Sequence, residues 1–197
     1  MFNLRHQNDT TMLIGRKEEL RELNDAFKSE YSEFVAVYGR RRVGKTFLVR
    51  EAFNYEFTFQ HTGVAKEKIA GQLAAFRTSL IDYGYKDCPE LASWPDAFNS
   101  LKVGIKSSRK KKKVIFIDEI SWMDTPKSNF VSALEHFWNS WCSARKDVLL
   151  IICASATSWI INKVIKDRGG LHNRVNTQIY LMPFTLKECE EYLQSRN

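Results

Sequence analysis

At 197 residues and 23.0 kDa the chain has the size of one domain. With 44% hydrophobic and 27% charged residues it has the balance of a globular protein, not of a disordered one. Its longest apolar runs, Val148 to Ala154 and Val114 to Ile117, are strand-sized and too short to span a bilayer. Nothing at the start reads as an export signal. Four scattered cysteines (Cys88, Cys142, Cys153, Cys189) without a Cys-x-x-Cys pair argue against a zinc site or a disulfide framework, so a reducing cytoplasm is the expected compartment. The net charge of +7 has one source: between Ala97 and Ile117 stand Lys102, Lys106 and Arg109 to Lys113, with no Asp or Glu. The simplest reading of that run is a solvated loop before a strand; the alternative is a contact with DNA or an acidic partner.

In chain order, a short apolar stretch around Met12 to Ile14 precedes a helix on which Leu20, Leu23 and Phe27 share a face. Phe34 to Tyr38 reads as a buried strand ending at Gly39, and Thr46 to Phe53 as a helix. Phe57 to Thr62 alternates apolar and polar residues, as a strand near a sheet edge does. Helical patterns follow at about 66–82 and 95–106. Val114 to Ile117 is a second buried strand, closed by Asp118 and Glu119; Phe130, Leu134, Phe137 and Trp141 then stripe one helix face. Val148 to Cys153 is a third buried strand, Ile179 to Met182 a fourth, and Leu186 to Leu193 a last helix. Strands alternating with helices predict an α/β fold: a mainly parallel, five-stranded sheet between two helical layers, with ligands at the carboxyl ends of its strands.

Three polar clusters fall at such ends. Gly39-Arg40-Arg41-Arg42-Val43-Gly44-Lys45-Thr46 satisfies G-x-x-x-x-G-K-[ST] between a strand and a helix, which makes it a P-loop. Its glycines let backbone N–H groups face a phosphate chain at a helix N-terminus. Lys45 is placed to neutralise the β- and γ-phosphates, and the Thr46 hydroxyl to ligate Mg²⁺. Asp118, on its own buried strand 72 residues after Thr46, is the expected second Mg²⁺ residue. Glu119 is the expected base for an attacking water, a role that separates an ATPase from a small-molecule kinase. Ser155 or Thr157 could sense the γ-phosphate, or both could simply cap the following helix. Arg174, in a loop before the fourth buried strand, is either a surface charge or an arginine finger.

Together with these motifs, Ile14-Gly-Arg-Lys-Glu-Glu-Leu20, Phe116-Ile-Asp-Glu-Ile-Ser-Trp122, Ile152-Cys-Ala-Ser-Ala-Thr-Ser-Trp159 and Leu181-Met-Pro-Phe-Thr185 resemble the archaeal-type P-loop ATPases of the AAA+/STAND group. The resemblance runs from about Leu13 to Leu193 and implies ATP as the nucleotide. Leu13, Ile14 and Arg16 would lie near the adenine, and Gly39 to Phe47 around the phosphates. Lys45, Thr46, Asp118, Glu119 and Ser155 match the phosphate, magnesium, catalytic and sensor positions, and Arg174 matches the arginine before the last core strand. Ala154 departs from the glycine more common in relatives. The implied activity is Mg²⁺-dependent hydrolysis that drives a conformational switch in a DNA-associated or defence-type system, with self-association and DNA contact through Arg109 to Lys113 as partner expectations. The alternatives are a regulatory nucleotide-binding module and a basic-loop DNA-binding protein. Relatives continue into a helical lid and a nuclease-like domain; without these, residues 1–197 are expected to hold ATP in an open cleft and to hydrolyse it slowly.

Overall fold

The computed structural model describes residues 14–166, 170–171 and 173–195. Five strands form one sheet: β1 (Glu33–Tyr38), β2 (Phe59–Thr62), β3 (Lys113–Asp118), β4 (Val148–Ala154) and β5 (Thr177–Tyr180). Every pairing is parallel, and the order is β2-β3-β4-β1-β5. β4 therefore lies between β1 and β3, where the expectation about Ser155 needs it.

Alternate residues of each strand face opposite layers. Val35, Val37, Val114, Phe116, Leu149 and Ile151 pack against α1 (Lys17–Lys28) and α2 (Lys45–Ala52) through Leu23, Leu48, Val49 and Phe53. On the other face, Phe34, Ile115, Ile117, Leu150 and Ile152 meet α3 (Ile69–Asp82), α4 (Trp94–Ser107) and α5 (Phe130–Phe137). That second layer is richly aromatic: Phe76, Trp94, Phe98 and Phe130 contact one another at ring separations of 4.8–6.2 Å. The central strands are covered on both sides, which is why they read as unbroken apolar runs. β2 stands at one edge, as its alternation predicts.

Two elements differ from expectation. The stripe from Phe130 to Trp141 is not one α-helix: α5 ends at Phe137 and a π-helical turn carries Trp138–Cys142. The widened turn still buries Trp138 and Cys142 while leaving Trp141 partly exposed under the Arg145 guanidinium, 4.7 Å from its ring. β5 spans Thr177–Tyr180, earlier than Ile179 to Met182, because only Ile179 and Leu181 of this stretch face the core, while Met182 is exposed beyond the strand.

The basic run is a loop before β3, as expected, but it is not solvated throughout. Lys112 is buried, and its ammonium donates to the carbonyls of Ser29 (2.9 Å), Tyr31 and Lys146 (3.5 Å). Lys113 begins β3 and pairs with Asp147 at 2.8 Å, and Lys110 donates to Phe57 O at 3.1 Å. Of the five, Arg109 and Lys111 are exposed.

Candidate active site

The carboxyl ends of β1, β3 and β4 bring the predicted residues together. β1 runs into residues 39–44, and α2 begins at Lys45 with Gly44 as its N-cap and no side chain covering its first amides. Those N–H groups, with the positive end of the helix, can receive an anion. Gly39 sits at φ 144°, and a Cβ there would overlap the Leu181 carbonyl oxygen beyond β5. The loop thus leaves the sheet along a path that only glycine takes.

Lys45 is buried and donates to Gly39 O (3.0 Å) and Arg40 O (2.7 Å), so its ammonium bridges the loop. The Thr46 hydroxyl donates to Asp118 Oδ2 at 2.7 Å, across 72 residues. Asp118 is 3% exposed, and its other oxygen accepts from the Glu119 N–H at 2.9 Å. A buried carboxylate needs such donors. Beside it, burial pushes the Cys153 thiol well above its usual value, and the Asp118 charge pushes the same way.

Glu119 follows at φ 44°, ψ 42°, a left-handed conformation that costs a non-glycine residue about 1 kcal/mol. Its carboxylate accepts from Ser155 Oγ at 2.7 Å and, more weakly, from Ser155 N at 3.4 Å. Ser155, not Thr157, meets the glutamate; Thr157 starts the short helix α6 (Thr157–Ile160). Arg40, Arg41 and Arg42 are exposed on the loop, Val43 is half-buried, and Phe47 on α2 is 45% exposed.

Arg16 does more than its place in the motif suggested. It takes a left-handed φ of 60°, is buried, and donates to Met182 O (2.7 Å) and, at the distance limit, to Val43 O (3.5 Å). Its guanidinium also lies 4.5 Å from the Phe184 ring centroid. Arg16 therefore ties the chain before α1, where half-buried Ile14 sits, to the P-loop and to the segment after β5. Leu13 lies outside the described residues.

Arg174 is not part of this cluster. It is exposed, in a turn three residues before β5, and Thr177 pairs with Val35. Four residues of strand, about 13 Å, separate that level from Gly39. Arg174 stands at the amino edge of the sheet, whereas the P-loop leaves the carboxyl edge.

The sequence reading missed Cys153 beside Asp118 and the hydrogen bond from Trp159 Nε1 to Asp124 (2.8 Å), which ties α6 to the loop after β3. Strand alternation could have placed the first, since Cys153 and Phe116 face the same layer; the second depends on the loop path and left no trace in spacing. Among the described residues no group of three or more His, Cys, Asp or Glu could hold a metal by itself, and no helix is long and apolar enough to cross a membrane. Thr46 and Asp118 offer two hard oxygens. That suits Mg²⁺, which takes one or two protein ligands and completes its shell with water and phosphate.

An uncharacterized protein of Methanocaldococcus jannaschii is 26% identical over 183 residues, covering 92% of this chain and 38% of its own length. An uncharacterized ATP-binding protein of the same organism is 42% identical over 40 residues, 20% of this chain and 68% of that one. The chain thus spans well under half of the first relative. Among solved structures, a Walker-type ATPase of Pyrococcus abyssi superposes with a TM-score of 0.63 at 17% identity, over 98% of this chain and 60% of that one. The ORC2 protein of Aeropyrum pernix, in its ADPNP-ADP complexes, gives 0.63 at 15% identity, over 93% and 52%. Cdc6p of Pyrobaculum aerophilum gives 0.61 at 15% identity, over 100% and 51%. These likenesses concern the fold. The family model for ATPase domains found predominantly in Archaea matches residues 13–195, and the chain belongs to that family.

Proposed function

We propose that the chain binds ATP at Gly39 to Phe47 and hydrolyses it with Mg²⁺, and that hydrolysis resets a conformational switch. The observation that carries this reading is the meeting of Lys45, Thr46, Asp118, Glu119 and Ser155 at adjoining strand ends, with Thr46 and Asp118 already hydrogen-bonded. ATP phosphates would bind at the start of α2. Lys45 would exchange the Gly39 and Arg40 carbonyls for β- and γ-phosphate oxygens. Mg²⁺ held by Thr46 and Asp118 would neutralise phosphate charge. Glu119 would accept the proton of the attacking water as it forms its bond to the γ-phosphorus, and Ser155 would orient that carboxylate.

Both Glu119 oxygens face Ser155 donors in this structure. That observation favours a second reading, in which the chain holds nucleotide as a regulatory ligand and keeps its base occupied. An arginine-finger role for Arg174 would need a second copy to carry it to the site, and this is where self-association enters. Lys45→Ala is expected to abolish ATP binding, because the phosphates lose a counter-cation in a partly desolvated loop. Calorimetry with ATP and Mg²⁺ checks it; unchanged affinity would remove the nucleotide assignment.

A further inference from the structure

The edge of the sheet opposite the P-loop carries features that nucleotide chemistry leaves unused. All five strands are parallel, so the segments leading into them meet along this edge in the order β2, β3, β4, β1, β5. The segment into β3 brings Arg109, Lys110 and Lys111, that into β4 brings Arg145 and Lys146, and that into β5 brings Arg174. Contacts knit these segments together. Buried Lys112 holds the carbonyls of Ser29, Tyr31 and Lys146, while Lys110 holds Phe57 O. Tyr31 is 65% exposed with the Lys146 ammonium 5.6 Å from its ring, and Tyr55, on the segment into β2, is 55% exposed.

Acidic residues cancel only part of this charge. The Asp147 carboxylate is held by Lys113 at 2.8 Å and by Arg145 at 2.7 Å. Glu33 is half-buried and accepts from Ser29 Oγ at 2.7 Å. Glu30 and Glu56 remain as the exposed carboxylates of these segments among the described residues.

We propose that this amino edge binds single-stranded nucleic acid, with phosphates on Arg109, Lys111 and Lys146 and a base stacked on Tyr31. Charge complementarity selects a polyanion. The exposed rings select unpaired bases, since a duplex keeps its base faces inside its own stack whereas a single strand offers them. β2 and β1 lie three strand spacings apart, roughly 14 Å, so the segments carrying Tyr55 and Tyr31 stand at the two ends of the stretch that carries Arg109, Lys111 and Lys146. The site is remote from Gly39 to Phe47, so ATP and a strand can be held together. This inference does not rest on the ATPase reading.

The test is fluorescence polarisation of labelled oligo(dT) and oligo(rU) of about 20 nucleotides. A duplex of the same length and polyglutamate serve as competitors, with salt varied from about 50 to 200 mM. The expected result is salt-dependent binding of the single strands, which the duplex and polyglutamate compete for poorly. Lys111→Glu with Lys146→Glu should weaken binding at least about ten-fold and flatten the log–log salt slope by about two. Tyr31→Ala should weaken binding about ten-fold at unchanged slope, because its carbonyl stays in place for Lys112. A preference for dT or rU names the natural strand, and equal affinity marks a sugar-tolerant site; each upholds the proposal. Thermal melts report folding, and if the charge reversals melt early, Lys111→Gln with Lys146→Gln replaces them, with the slope again expected to flatten. ATP affinity in the same variants reports on the nucleotide site alone. No binding of either strand, equal binding of duplex or polyglutamate, or binding untouched by these substitutions in folded protein would overturn the proposal.

Discussion

Lys112 illustrates how one residue of a charge run can differ from its neighbours. Its side chain is buried and its ammonium is shared among three carbonyls, so burial lowers its pKa while the carbonyls keep its donors satisfied. Lys112→Met should therefore destabilise the fold by about 2 kcal/mol through orphaned carbonyls, whereas exposed Lys111→Met should stay within about 0.5 kcal/mol. Urea unfolding of both variants checks the pair. His61 makes a second residue-scale prediction. It is packed between Phe59 and Phe76, with Nδ1 2.8 Å from Ser79 Oγ and no hydrogen-bond partner at Nε2. Burial lowers its pKa from 6.5 to about 4. Between these values the unfolded chain takes up a proton that the folded chain refuses. The contribution is full above pH 6.5 and is lost as pH falls toward 4, by up to about 3 kcal/mol. His61→Gln should flatten that limb of the stability curve relative to the unsubstituted chain, as measured by urea midpoints across the range; an unchanged difference would contradict it.

At the scale of elements, the regular strands were legible because burial on both faces leaves long apolar runs, and the P-loop because its glycines, lysine and threonine are fixed by phosphate geometry. The pairing of Thr46 with Asp118 followed from the same logic. Other features were not legible for stated physical reasons. A π-turn at Trp138 keeps the same apolar residues inward as an α-turn would, so the hydrophobic stripe could not reveal it. The choice of Ser155 over Thr157 depends on the path of one turn after β4. Arg174 was placed by its order before β5, but its distance from the P-loop depends on the register of Thr177 against Val35. Gly39 carries the prediction that belongs here. Gly39→Ala must force a side chain into positive φ and against the Leu181 carbonyl, so it should lower stability by about 2 kcal/mol or more and weaken ATP affinity with it. Paired melting and ATP titration check this; a stable variant that binds ATP normally would show that the loop has another route.

The whole molecule has two unlike edges joined by one sheet. The carboxyl edge collects buried Asp118, Glu119 with Ser155, and the start of α2; the amino edge collects cations and exposed tyrosines. Parallel pairing makes this separation unavoidable, since every strand delivers its outgoing loop to one edge and receives its incoming loop at the other. The central claim is that Glu119 serves as the base of an ATPase, and it separates from a binding-only module in one comparison. Single-turnover phosphate release, with protein in excess over ATP and Mg²⁺ present, is measured for the chain and for Glu119→Gln, with the ATP affinity of each taken by calorimetry. A neutral amide keeps the shape of the site but cannot accept the water's proton. The account predicts affinity within a few-fold and hydrolysis slowed about 100-fold or more. Equal hydrolysis by the two proteins, or no release above background by the unsubstituted chain, would contradict it.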